Sequence, residues 1–202
     1  GLCTYFFYDK IYDQELHPHA LPVLFLTNSV FQMHAQRLME SISKSGIQIP
    51  EDIEHILADT DISYFLMAQR DGNVPLSFHA KKSIGNCLVP ILAMLQAGMH
   101  REDAYSAMRF FEHFNLARQI SDDAKDDDHD AAAKNPKITT MHLLHTQAEI
   151  EYELFKEIIL AKHAVESLPE SSPIKTILQK HLDAFAIKVI RAKWEFSIVK
   201  NM

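Results

Sequence analysis

The chain has 202 residues, is 47% hydrophobic and carries a formal charge of −7, which fits one medium domain with a sizeable core. Six aspartates between Asp122 and Asp130, offset only by Lys125, leave −5 of that charge in one short window, so the remaining surface is near balance and offers no basic stripe for nucleic acid. The longest apolar run, Leu88 to Leu95, is far below a membrane span, and Cys3 and Cys87 lack metal-ligand spacing, so a reduced, cytoplasmic setting is expected.

Helix-period patterns dominate, and the five scattered glycines provide little turn chemistry for hairpins. The first helix is predicted from about Leu2 to Glu15, stopped at His17-Pro18. Its apolar start, Leu2 to Tyr8, has no cap, so further N-terminal helices are expected upstream of residue 1. The second runs from about Pro22 to Lys44 and ends at Ser45-Gly46. Pro50-Glu51-Asp52 opens a third, closed by Asp71-Gly72-Asn73. The fourth runs from about Ser77 to Gln96 and ends at Gly98. The fifth starts at Arg101-Glu102-Asp103 and continues to the aspartate run. After Asn135-Pro136, residues 139–167 and 173–200 read as two long helices, separated by Pro169 and Pro173. No strand-period run of useful length occurs. The expectation is a single all-α domain over residues 1–202, a bundle of about seven helices.

The aspartate run sits where a helix resists it. Asp is a weak helix former, and negative charge late in a helix opposes the macrodipole. Asp122, Asp126 and Asp130 stand at i, i+4 and i+8 and would share one helix face, with Asp123 and Asp127 in a neighbouring row. Such a row of carboxylates can present an edge to magnesium, which takes one or two carboxylates together with phosphate oxygens and waters. A calcium loop starting at Asp126 fails, because Ala131 stands where the turn glycine is needed and Lys137 where the bidentate Glu should be. A second acidic pair, Asp9 and Asp13, is one helical turn apart among Tyr5, Phe6, Tyr8 and Tyr12. Acidic helices on opposite walls of a bundle, sharing metal ions with one diphosphate, would form a coherent site for a metal-assisted reaction. The Glu-x-x-His signature of di-iron bundles does not occur, and His142 and His145, at i,i+3, read as ordinary helix residues.

At these two motifs the chain resembles the class I isoprenoid synthases, the all-α superfamily of prenyl diphosphate synthases, squalene and phytoene synthases and terpene cyclases. Arg118-Gln119-Ile120-Ser121-Asp122-Asp123-Ala124-Lys125-Asp126 looks like their second aspartate-rich motif, and Asp9-Lys10-Ile11-Tyr12-Asp13 looks like the first, with Lys10 in place of its second Asp. Lys82-Ser83-Ile84-Gly85 is similar to the segment that contacts diphosphate in the prenyl synthases. The chain departs from the family in having no arginine between Gln14 and Pro22, where chain-elongating synthases carry a pair. Asp122, Asp126 and Asp130 also fit the register of the cyclases' second metal motif, with Asp126 and Asp130 replacing its Ser/Thr and Glu.

The resemblance implies an antiparallel helical bundle with a central apolar cavity and a magnesium-dependent enzyme that ionises a prenyl (allylic) diphosphate, of the prenyltransferase or polyprenyl synthase type. Up to three magnesium ions would be held by Asp9, Asp13, Asp122, Asp126 and Asp130. Lys81, Lys82 and Arg118 are implied diphosphate contacts, and Tyr5, Phe6, Phe78 and Phe114 the implied cavity lining. The alternatives are a terpene cyclase on the same fold, or an inactive helical subunit of a heteromeric synthase. A homodimer, or pairing with a chain that carries the missing N-terminal helices, is the expected assembly.

Overall fold

The computed structural model describes residues 75–132 and 139–200, with helical positions scattered between Leu26 and Lys44. The predicted helices before Pro22 and from Pro50 to Asn73 lie outside the described residues. Four long helices make up the rest: α1 (Leu76–Gln96), α2 (Arg101–Ala132), α3 (Gln147–Glu166) and α4 (Pro173–Lys200), with a short 3-10 turn at Thr140–His142. No strand occurs among the described residues. No helix among them is long and apolar enough to cross a membrane.

Local chemistry explains how these helices start and how α1 ends. α1 follows Pro75 and ends at Ala97 with two backbone bonds, Gly98 N–H to Leu95 C=O (3.0 Å) and Met99 N–H to Met94 C=O (3.0 Å). This is a Schellman closure, and it requires the left-handed φ of 92° that Gly98 adopts. Met94 and Met99, which flank the closure, both pack on the core. α2 begins with Glu102 and Asp103, whose charge suits the positive end of the helix dipole. α3 begins with a capping box: Glu149 N–H donates to Thr146 Oγ1 (3.2 Å) while Thr146 N–H donates to Glu149 Oε2 (2.9 Å). α4 starts with Pro173 at the first helical position, where the missing N–H costs nothing.

α2 is the central element and packs against α1, α3, the 3-10 turn and α4. Two apolar clusters set the directions. The first joins Leu92 and Leu95 of α1, Ala104 and Phe110 of α2, Ala161 and Val165 of α3, and Leu178 and Leu182 of α4. The second joins Ala80 of α1, Ala117 and Ile120 of α2, Leu154 of α3 and Val189 of α4. α1 and α3 therefore run antiparallel to α2, and α4 runs alongside it. Phe114 of α2 stacks on Phe110 (centroids 5.1 Å apart) and meets Phe185 of α4 edge-on (5.4 Å), so an aromatic ladder joins the two helices. A polar pin crosses the α2–α3 contact: His113 Nδ1 lies 2.7 Å from Oε2 of the buried Glu157, and Lys156 Nζ lies 3.7 Å from the other carboxylate oxygen.

One predicted element is corrected. The helix expected from residue 139 starts only at Gln147, preceded by the 3-10 turn and an open stretch to Thr146. Thr139 is extended (φ −111°, ψ 170°), its N–H donates to His142 Nδ1 (3.1 Å), and Thr146 caps the helix proper. His142 and His145 are thus not helix residues of the ordinary kind: His142 closes the 3-10 turn and His145 lies ahead of α3.

Candidate functional site

The fifth predicted helix reaches the aspartate run as expected, and α2 continues through the run to Ala132. Asp122 and Asp126 consequently sit four positions apart on one helix, and Asp130 four further on. Three local interactions help hold the helix against its own charge. Lys125 Nζ lies 3.0 Å from Asp122 Oδ1 and donates to Ser121 Oγ at 3.1 Å. Gln119 Nε2 donates to Asp123 Oδ1, one turn along the helix.

Asp122 and Asp123 have opposite surroundings. Asp122 is exposed, its side chain at 53%, and its partner Lys125 is at 43%. An ion pair this wet contributes at most about 1 kcal/mol, so an arriving cation can take the carboxylate at little cost. Asp123 is 6% exposed, and its other oxygen, Oδ2, accepts two bonds from the fully buried Thr140: from the backbone N–H (2.6 Å) and from Oγ1 (2.7 Å). With Gln119, that makes three donors on one carboxylate, enough to satisfy a buried charge. Asp123 therefore has its oxygens turned to the protein and not to a ligand.

The second apolar cluster brings the first half of α1 to the acidic half of α2, through Ala80, Ala117 and Ile120. Lys81 and Phe78 belong to that part of α1, with the Lys81 ammonium 4.9 Å from the Phe78 ring centroid. Arg118 is exposed on α2, one turn before Asp122. Phe78 and Phe114 are both half-buried, and Phe114 is also part of the aromatic ladder. Lys82 lies on α1 and Asp126 and Asp130 lie on α2, but their side chains are outside the described residues. Asp9, Asp13, Tyr5, Phe6 and Lys10 are outside them altogether.

Chemistry and placement together decide which donors suit magnesium. Asp122 offers hard carboxylate oxygens, accessible and lightly held, next to a lysine able to meet a diphosphate oxygen, and so fits. Asp123 does not. Among the described residues no three His, Cys, Asp or Glu side chains are grouped to hold a metal ion. Cys87 is no candidate nucleophile, because burial pushes its thiol up to about 11, against a smaller opposing effect of Asn115.

Compared with protein families, with curated proteins and with solved structures, the chain matches none. The reading of the site therefore rests on its own residues. Sequence patterning missed Thr140, whose bond to Asp123 spans seventeen positions. Only Gln119, at i−4 from Asp123, carried a local signal of that carboxylate's role.

Proposed function

We propose that this chain is a magnesium-dependent enzyme of isoprenoid biosynthesis that ionises a prenyl (allylic) diphosphate, of the prenyltransferase type. The observation that supports it most is the state of the segment from Arg118 to Asp126. It lies within one helix, with Asp122 exposed beside Lys125 and the neighbouring Asp123 turned inward.

In the reaction, the bond between the allylic carbon and the diphosphate oxygen breaks, and the diphosphate leaves with the electron pair. Magnesium, when bound, supplies positive charge to the leaving oxygens. Asp122, with Asp126 and Asp130 following it on α2, would hold metal from one wall, and Asp9 and Asp13 from the other. Lys81, Lys82 and Arg118 would meet the diphosphate, and Lys125 would exchange its carboxylate partner for a phosphate oxygen. Aromatic faces of Tyr5, Phe6, Phe78 and Phe114 would keep the carbon end dry and stabilise positive charge there.

The test is product analysis with farnesyl diphosphate and magnesium, with and without isopentenyl diphosphate. A longer prenyl diphosphate, formed only when both are present, is the expected result. Hydrocarbons or alcohols from farnesyl diphosphate alone would make the chain a terpene cyclase. No product under either condition would contradict the enzyme reading in favour of a helical subunit without activity of its own.

A further inference from the structure

The aspartate motif is split by burial, and the split has a consequence for how the outward carboxylate is held. Successive helix residues lie about 100° apart in azimuth. Anchoring one of two adjacent aspartates therefore sets the direction in which the other projects. Asp123 is anchored from two sides, by Gln119 within α2 and by Thr140 from the segment beyond it. Thr140 is itself fixed: it is fully buried, and its C=O accepts from the N–H groups of Leu143 (3.0 Å) and Leu144 (3.1 Å). Beside this anchor, the partner of Asp122 among the described residues is the solvent-exposed Lys125.

We infer that Asp123 is a positioning residue: its carboxylate, latched to Thr140, fixes the rotation of the acidic end of α2 and so presents Asp122 to a divalent cation and its diphosphate. The inference rests on the diphosphate-metal reading of the site and names a residue outside the ligand set. Asp123 acts through Asp122 and touches neither cation nor diphosphate. Thr140 belongs to the same device, although it lies outside the aspartate motif.

Calorimetric titration of the full chain with magnesium and inorganic diphosphate tests this, in Thr140→Val, Thr140→Ser and Asp123→Asn. Thr140→Val leaves every carboxylate in place, so a ligand role for Asp123 predicts unchanged affinity. The latch predicts instead a fall of about tenfold, the lower end of what outer partners of metal sites contribute, with the number of sites unchanged. Thr140→Ser, which keeps the hydroxyl, should restore most of it. Thr146→Ala, a cap variant at the start of α3, controls for general destabilisation and should leave the affinity as it is. Native affinity in Thr140→Val would overturn the inference, most clearly if Asp123→Asn abolished binding and so marked Asp123 as a ligand. An equal loss in Thr146→Ala and Thr140→Val would also overturn it, because the effect would then be one of stability. Failure of the unaltered chain to bind magnesium with diphosphate would remove the functional reading together with this inference. Native binding in both Thr140→Val and Asp123→Asn would remove the inference alone.

Discussion

At the residue scale, burial assigns roles that residue type alone leaves open. Asp122 and Asp123 are chemically identical neighbours, yet one faces solvent beside Lys125 and the other is used up by Gln119 and Thr140. A hydrogen bond to a buried charge contributes about 1.5–3 kcal/mol. Thr140→Val, which keeps the backbone donor and removes the hydroxyl, should therefore lower urea-unfolding stability by about 2 kcal/mol, and Thr140→Ser by much less. Lys125→Ala, which removes an exposed partner, should cost under about 1 kcal/mol in the same measurement. Cys87 gives a prediction on pH. Its folded thiol is raised by burial from 9.0 to about 11. A raised value means that the neutral thiol's contribution to stability is complete below about pH 9 and is lost as pH rises towards 11. In a Cys3→Ser background, the thiol should react slowly with a disulfide reagent at pH 8 and fully once the chain is unfolded. Prompt reaction of the folded chain would contradict the shielding of the half-buried Cys87 thiol.

At the element scale, patterning and punctuation made much of the described fold legible. Gly98, the acidic pair Glu102-Asp103 and Pro173 each carry a backbone or dipole requirement that can be read without coordinates, and each marks a boundary where expected. The start of α3 was less legible. Met141, Leu143 and Leu144 extend the apolar pattern back to residue 139, whereas Thr146-x-x-Glu149 caps the helix later. The local cap prevailed because Thr139 and Thr140 are held outside the helix by His142 and by Asp123 on α2. That second partner is a long-range contact, which no local pattern contains. The burial of Asp123 was hidden for a similar reason, since the charge pattern does not contain the Thr140 donors that face it. Two variants test these boundaries. Gly98→Ala meets no neighbour within 4 Å, so its cost should come from the left-handed backbone alone, about 1 kcal/mol by thermal unfolding. Thr146→Ala should cost a similar amount, about 1 kcal/mol. Glu149, its capping partner, is lowered below its ordinary 4.5 chiefly by the Thr146 hydrogen bonds. Its share of the cap is therefore present above about pH 4.5 and disappears as pH falls through the lower folded value, so the Thr146→Ala penalty should shrink in acid.

At the scale of the whole molecule, an antiparallel arrangement around α2 places the start of α1 next to the acidic end of α2. Lys81 and Phe78 therefore lie in the half of the bundle that holds Asp122, as the proposed diphosphate site would require. The motif legible in the sequence divides on one helix into an exposed Asp122 and a buried Asp123. Asp9 and Asp13 would supply the opposite wall in the proposed mechanism. The measurement that reaches this claim most directly is thermal unfolding of the full chain with millimolar magnesium and inorganic diphosphate, together and singly, alongside Asp122→Ala. Binding at about a hundred times the dissociation constant stabilises by about 2.7 kcal/mol, which for a chain of this size raises Tm by about 5–10 °C. The expected result is that rise for magnesium and diphosphate together, much less for either alone, and its loss in Asp122→Ala. An equal rise in Asp122→Ala, or none in the unaltered chain, would contradict the account.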